Sequence, residues 1–361
     1  MKMLLDIFNR LRKHFEEDGK LRAARPLFDA AEHFFFAPAT RTASIPHVRD
    51  PLDVKRFMSM AIIALVPCVV ASVYFFGLRV LAMIAVSYAA GGAVEVLFAV
   101  VRKDQINEGL LVTGLLFPLI LPPVLPLWMV AAGVAFGVLV GKELFGGTGR
   151  NLFNPALVGR CFLALAYPKA MSSSWVKPIA ELPGRLTQYV SSSSLDAVTS
   201  ATPLGMAKQE LWVDLPDMFF GNISGSVGET SALLIIIGGI FLLLSRVANW
   251  RTVVGVLGSF TLLSAGLHWF GAAPATPLWH LLAGGLLFGA FFMATDPVTS
   301  PATNAGKWIY GTIIGLTTVL IRNFTGYVEG VTFAILLGNI TAPILDEVVV
   351  HFRMRRWSNE G

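Results

Sequence analysis

Long apolar runs alternate with short polar joints along most of this chain. Runs of spanning length, about 20 residues, lie near 57–77, 80–101, 125–143, 251–269 and 329–348. Shorter or interrupted runs lie near 108–121, 152–168, 229–245, 278–294 and 306–321. Each predicts a transmembrane helix, about ten in all, so the expected fold class is an all-α polytopic membrane protein. Polar positions collect at the two chain ends and in one long segment, 169–228. The N-terminal part is charged and only intermittently apolar. It does not show the short basic start and single apolar core of a cleavable signal peptide. Within it, "LRAARPLFDAAEHFFFAP" sets Leu27, Phe28, Phe34, Phe35 and Phe36 beside charged positions. That pattern predicts an interfacial amphipathic helix; a solvated tail with one membrane-resting face fits as well.

Composition supports the membrane reading. Of 361 residues, 55% are hydrophobic and 14% charged, against about 25% charged in ordinary soluble domains. Cys68 and Cys161 both fall inside apolar runs and form no Cys-x-x-Cys pair. An iron–sulfur cluster or structural zinc wants about four soft ligands, so no metal site is expected. Basic residues set the orientation. The N-terminal tail carries Arg10, Arg12, Lys13, Arg49, Lys55 and Arg56, and the C-terminal tail carries "HFRMRRW". Alternate joints hold Arg102 and Lys103, Lys142 and Arg150, Arg246 and Arg251, and Lys307. The opposite joints hold only Arg79 and Arg322, plus the segment 169–228. Both termini are therefore expected in the cytoplasm and the long polar segment on the outer face. The +5 net charge follows from this topology, and no nucleic-acid partner is expected.

The two halves resemble each other. "GLLVTGLLFPLILPP" (109–123) parallels "HLLAGGLLFGAFFMATDP" (280–297), and "LFNPALVG" (152–159) parallels "LLGNITAPIL" (336–345). With five spans in each half, the second half must be inverted, the arrangement of many transporters and channels. Gly and Pro are also simply common in membrane helices, which is the plainer account. The expected organisation is a cytoplasmic tail (1–56), a first five-helix repeat (57–168), an outer loop (169–228), a second repeat (229–348) and a basic cytoplasmic tail (349–361). Two helix breaks stand out, "FGGTGRNLFNPALVG" (145–159) and "MATDPVTSPATNAGKW" (293–308). Backbone freed at such breaks must find partners or line a cavity, and oxygen-rich cavities suit a hard cation such as Na⁺. Glu95, Asp296 and Asp346 are ionisable residues inside or at the edge of spans, where they are costly and usually functional. An end-of-helix ion pair is an equal alternative for Asp346. Glu108 and Glu143 sit nearer the cytoplasmic ends, where a structural role fits as well.

The outer segment holds "DAVTSATPLG", residues 196–205, a cluster of small residues rich in hydroxyls. A hydroxyl nucleophile needs an adjacent base, and 169–228 contains no histidine. A Ser/His/Asp machine within this loop is therefore excluded. The cluster reads better as an acceptor that another enzyme modifies, with a turn-forming proline leaving it reachable. Asn222-Ile223-Ser224 also matches a glycosylation acceptor, a match that would mean little if the protein were bacterial.

"DAVTSATPLG" resembles the flavinylation motif Asp-x-x-Ser/Thr-Gly/Ala/Ser-Ala-Thr of the NqrB/RnfD family, whose members belong to the sodium-translocating NADH:quinone reductase and to the Rnf complex. "HVRDPLDVKRFM", "EVLFAVVRKDQINEGLLVTGLLFPLILPPVLPLW", "GKELFGGTGRNLFNPALVGRCFLALAYP", "FFMATDPVTSPATNAGKWIYG" and "PILDEVVV" extend the resemblance from the tail to the last span, and favour the quinone-reductase branch. Two features depart from the pattern: Ser200 stands where glycine is common, and the joint at Gly77–Arg79 is short where some relatives carry an insertion.

The resemblance implies a urea-channel-like fold within a multi-subunit respiratory pump of the bacterial inner membrane. It implies FMN bound through a phosphoester to Thr202 by a separate flavin transferase, with Asp196, Thr199, Ser200 and Ala201 as recognition context. Electrons would arrive from another covalent-FMN protein of the complex, pass to the flavin on Thr202, then to non-covalent riboflavin near the cytoplasmic side, then to ubiquinone. Na⁺ would be the transported ion. Gly91 and Gly92, beside Glu95, match the family's inhibitor-sensitive glycine pair and mark a quinone pocket under the N-terminal tail. Asp29, Glu95, Asp296 and Asp346 match the sodium-path acids. Asn151 and Asn154 offer amide groups to an isoalloxazine edge, or simply satisfy the helix break. The alternatives are an Rnf-type subunit, a passive channel-like transporter and a scaffold subunit.

Overall fold

In a bilayer, each backbone amide must be paired within the protein, so apolar runs become helices. The computed structural model describes residues 28, 54–103, 109–178, 186, 188–189, 201–327 and 330–360. Among the described residues there is no strand, only an isolated bridge between Gly77 and Tyr189. The first half comprises α1 (Val54–Phe76), α2 (Arg79–Arg102), α3 (Gly109–Leu119), α4 (Leu127–Gly141) and α5 (Pro155–Ala166). Three short helices follow, α6 (Pro168–Ser173), α7 (Pro203–Ala207) and α8 (Leu215–Phe220). The second half comprises α9 (Ala232–Leu244), α10 (Trp250–Trp269), α11 (Pro277–Leu282), α12 (Leu286–Phe288), a π-helical turn Gly289–Met293, α13 (Asn304–Phe324) and α14 (Val331–Glu360).

Five helices are long and apolar enough to cross a membrane, covering Arg56–Phe76, Arg79–Arg102, Leu127–Phe145, Trp250–Trp269 and Val331–Arg355. They coincide with the five full-length runs expected from sequence. The shorter runs fall on α3, α5, α9, the α11–π segment and α13. The chain is a multi-pass membrane protein. α10 carries exposed tryptophans at both ends, Trp250 and Trp269. Its 20 residues rise about 30 Å, the thickness of the hydrocarbon core, and Trp favours the two interfaces.

Lipid tails are as apolar as leucine, so helices associate through close packing rather than through expulsion of water. α4 lies on α5 and α10 lies on α13. On α4, a Cβ at Gly137 would run into the Pro155 carbonyl of α5. On α13, a Cβ at Gly311 would meet the Thr252 carbonyl at 2.7 Å and Gly255 Cα at 3.0 Å. α1 also packs on α9, and α5 on α14, joining the two halves.

The helix breaks are satisfied from within. Asn154 caps α5, its Oδ1 accepting from Ala156 N at 3.0 Å, with Pro155 at the first helical position. Asn339, fully buried on α14, ties both breaks together. Its Oδ1 accepts from Asn154 N at 3.3 Å, and its Nδ2 donates to Thr299 O at 3.2 Å and to Tyr310 Oη at 3.0 Å. Arg79 and Arg322 are buried rather than exposed in joints. They donate to the carbonyls of Leu125 at 2.8 Å and His280 at 2.7 Å.

Gly311→Ala should therefore destabilise the detergent-solubilised protein by about 1–3 kcal/mol through overpacking. Gly258→Ala on the same helix pair has open space within 4 Å and should leave thermal unfolding unchanged or slightly raised. Equal behaviour of the two in a thermal-melt assay would refute the seam. Asn339→Ala strands a buried N–H and removes the tie between the breaks. A loss of about 1–3 kcal/mol is expected in the same assay.

Candidate functional site

At one end of the bundle, a cavity of about 610 Å³ opens beside Thr202, within the usual size of small-molecule sites. Thr202 caps α7 and Pro203 begins it. Thr202 Oγ1 accepts from Gly205 N at 3.2 Å, and the Thr202 carbonyl accepts from Met206 N at 2.8 Å. The side chain is half-buried: fixed by its cap, yet open to the cavity. Leu204 anchors α7 in a small satellite core with Met218, Ile223 and Trp279. Lys208 Nζ donates to the carbonyls of Thr325 and Tyr327, at 3.0 Å each. Desolvation lowers its pKa from the ordinary lysine value. Ala201 is exposed and also lines the cavity, whereas Asp196, Thr199 and Ser200 lie outside the described residues.

The cavity floor is charged. Arg160 of α5 and Glu229 both line it, with Nη1 to Oε1 at 3.2 Å and side chains only 7% and 4% exposed. Glu229 belongs to a polar stretch, 223–231, whose Ser224, Ser226, Thr230 and Ser231 are all buried. This stretch enters the bundle. Val227 N donates to Leu121 O at 3.0 Å, Gly228 N to Leu119 O at 2.7 Å, and Ser72 Oγ to Val227 O at 2.7 Å. Trp175, Tyr327 and Phe333 supply aromatic walls.

At the other end, a smaller cavity of about 80 Å³ lies between the two helix breaks. Asn151, Asn154 and Asp296 line it together. Asn151 is committed to its own loop: Oδ1 accepts from Gly149 N at 3.3 Å and Nδ2 donates to Phe153 O at 3.1 Å. Asp296 accepts from Val298 N at 3.3 Å and from Thr299 Oγ1 at 2.9 Å. Lys142 also lines this cavity, and its Nζ lies 2.9 Å from Glu95 Oε1 in a pair almost wholly buried. Beside it Arg102 bridges to Glu143 Oε2 at 3.0 Å. Thr148 Oγ1, on the same wall, is buried without a hydrogen-bond partner.

Glu95 thus reaches the Asn151/Asn154/Asp296 cluster through Lys142. Gly91, one turn earlier on α2, packs against Leu110, Val134 and Val138, and Gly92 is half-buried beside Leu110. Asp346 stands apart from the small cavity. It clamps the far end of the second break, accepting from Ala302 N at 2.6 Å, Thr303 N at 2.9 Å and Thr303 Oγ1 at 2.6 Å. Asp29 lies outside the described residues. Sequence reasoning passed over Lys142 as a site residue, and also Arg160, Glu229 and Asn339. Arg160 could have been found, because it is an arginine inside the apolar run 152–168 and the rule that singled out Glu95 covers it. Asn339 sat in the repeat alignment opposite Asn154, but nothing in the sequence said that the two bond.

Comparison with known proteins places the chain. It is similar to the B-subunit of the Na(+)-translocating NADH-quinone reductase of Klebsiella pneumoniae, 38% identical over 99% of this chain and 100% of the relative. The protein of that name from Yersinia pestis is 37% identical over 99% of both chains, and that from Azotobacter vinelandii is 37% identical over 96% and 97%. The Klebsiella alignment spans 425 positions, more than the 361 residues here, so that relative carries segments this chain lacks. Residues 41–355 match the family model described as NQR2, RnfD, RnfE family, and the chain belongs to that family.

Proposed function

We propose that this chain is the membrane-embedded B-subunit of a bacterial Na⁺-translocating NADH:quinone reductase, with FMN esterified to Thr202. The observation that carries the reading is the Thr202 hydroxyl at the wall of a roughly 610 Å³ cavity, in a chain of this family. The residues present fit the group. The cap bond holds the oxygen in place, Ala201 and Gly205 leave it accessible to a transferase, and Trp175, Tyr327 and Phe333 offer faces to a planar ring. A flavin bound there supplies one- and two-electron redox chemistry.

In this reading the segments flanking the five long helices also cross the bilayer, giving ten spans in two inverted repeats. The order of packing supports the repeat. α2 lies on α4 as α10 lies on α13, α4 on α5 as α13 on α14, and α3 on α5 as the π turn on α14. Both termini and the small cavity would face the cytoplasm, and Thr202 the periplasm. Asn154 and Arg160 lie on opposite cavities, six residues apart on one helix, about 9 Å of rise. Donors for a riboflavin edge are present at the small cavity, in Thr148 Oγ1 and Lys142 Nζ. The volume of about 80 Å³ is too small for the ring, so no step is derived through riboflavin there. Asp296 borders this space and Glu95 adjoins it through Lys142; the two are the proposed sodium-path acids, with the quinone site at Gly91 and Gly92.

The Rnf-type alternative shares the family and the Thr202 motif, and the electron donor of the assembled complex separates the two. A passive transporter would bind no flavin. After denaturing electrophoresis, the parent protein, made with its transferase present, should give a fluorescent band, and Thr202→Ala should lose that signal completely while the complex still assembles. Persistent fluorescence in the variant would end the assignment. For the ion path, Asp296→Asn and Glu95→Gln are expected to weaken the Na⁺ stimulation of quinone reduction several-fold. Glu95→Gln leaves Lys142 buried without its partner, so the amount of assembled complex must be measured alongside. Unchanged Na⁺ dependence in both variants would make these acids structural.

A further inference from the structure

Hydropathy assigns the stretch 211–220 to an aqueous outer loop, yet its Leu211, Trp212, Leu215 and Phe220 are all exposed. A concentration of exposed apolar side chains marks a surface that something covers. Ring contacts fix the level of this one. Trp279 Nε1 of α11 donates to Val213 O at 3.0 Å, and its ring lies 5.2 Å from that of Trp212. The His280 ring lies 5.5 Å from Trp279, and the Phe260 ring of α10 lies 6.5 Å from His280. From Phe260 to Trp269, α10 rises about 13–14 Å. The path through the rings is only slightly longer than that rise, so Trp212 stands at most a few ångströms beyond the level of Trp269. Trp269 and Phe270 are almost fully exposed and mark one boundary of the hydrocarbon core. Polar side chains precede the patch: Lys208, Gln209 and Glu210 are exposed, and Glu210 turns the chain with φ 62°. Asp214, exposed within the patch, stays hydrated at a headgroup level.

We propose that the stretch 211–220 is an interfacial segment. It rests its apolar side chains in the headgroup and upper acyl region of the leaflet at the Trp269 end of α10. The covering partner is lipid, because the patch continues, at the same level, the lipid-facing side of α10, where Leu262, Trp269 and Phe270 are exposed. Aromatic and aliphatic side chains flanked by charges are what this region of a bilayer takes up. The inference rests on α10 crossing the membrane and is independent of the flavin reading. It bears on Thr202 all the same. Leu204 of α7 shares a satellite core with Val213, Met218 and Trp279, so the helix that Thr202 caps is moored to the membrane surface as well as to the bundle.

The test uses the assembled complex in phosphatidylcholine vesicles, with one cysteine introduced at a time and labelled with bimane. Leu211→Cys and Phe220→Cys report the patch, Leu262→Cys on the exposed side of α10 reports lipid, and Gln209→Cys reports water. The parent complex treated with the same reagent gives the background of native thiols; in this chain Cys68 is buried and Cys161 half-buried. A nitroxide carried high on the lipid acyl chain should quench the two patch labels several-fold more than the Gln209 label. Aqueous iodide should quench them several-fold less. Iodide quenching of the patch labels equal to that of the Gln209 label would put the patch in water and overturn the inference. Patch labels reached by neither quencher, with the Leu262 label still quenched from the lipid, would mean that protein covers the patch and would overturn it as well. None of these four side chains lines the Thr202 cavity, so either failure leaves the flavin reading standing.

Discussion

The structure depends on one constraint: where a helix stops inside a bilayer, the chain itself must pair the backbone groups set free. The solutions here are specific side chains at the breaks. Asn154 caps α5, Thr303 accepts from Gly306 N at 3.1 Å to cap α13, and Asp346 holds the amides of Ala302 and Thr303. Asn339 then binds the first break to the second through a single amide. Arg79 directs its guanidinium to the Leu125 carbonyl in the loop before α4, and Arg322 to the His280 carbonyl on α11. The breaks are thereby rigid enough to bound cavities, which a frayed helix end could not do.

The same constraint explains where the cavities lie. α5 has only 12 residues, about 18 Å, too few to cross the hydrocarbon core alone. Its N-terminal end meets the small cavity and its later turns meet the large one. The stretch 223–231 packs against the end of α3, with Gly228 N and Val227 N donating to the carbonyls of Leu119 and Leu121. Glycine seams hold α4 against α5 closely enough that this short helix stays in register.

Much of the fold was legible in the sequence because hydrophobic run length is a strong signal. All five full-length runs coincide with helices of spanning length. The two breaks were legible too, as clusters of Gly, Pro and Asn. What the sequence did not reveal is contact across long separations. The pairing of Asn154 with Asn339 spans 185 residues, and that of Arg160 with Glu229 spans 69. Hydropathy has no term for such partners. It also read 223–228 as part of a polar outer loop, since buried Ser and Thr that satisfy backbone look the same as solvated ones. The motif drew attention to Thr202, but the cavity beside it had no signal in the sequence.

The distribution of buried charge gives the two ends of the bundle different properties. Glu95 is already neutralised by Lys142, at 2.9 Å. A cation arriving there must displace a tethered ammonium, and the withdrawn ammonium must find another acceptor in a poorly hydrated place. Asp296, lining the same cavity as Lys142, accepts instead from a neutral amide and a neutral hydroxyl. Its charge is solvated by dipoles rather than cancelled by a cation. A cation entering this cavity therefore gains more from Asp296 than from Glu95. The two acids thus differ in kind: Glu95 is paired with a cation, and Asp296 with neutral donors.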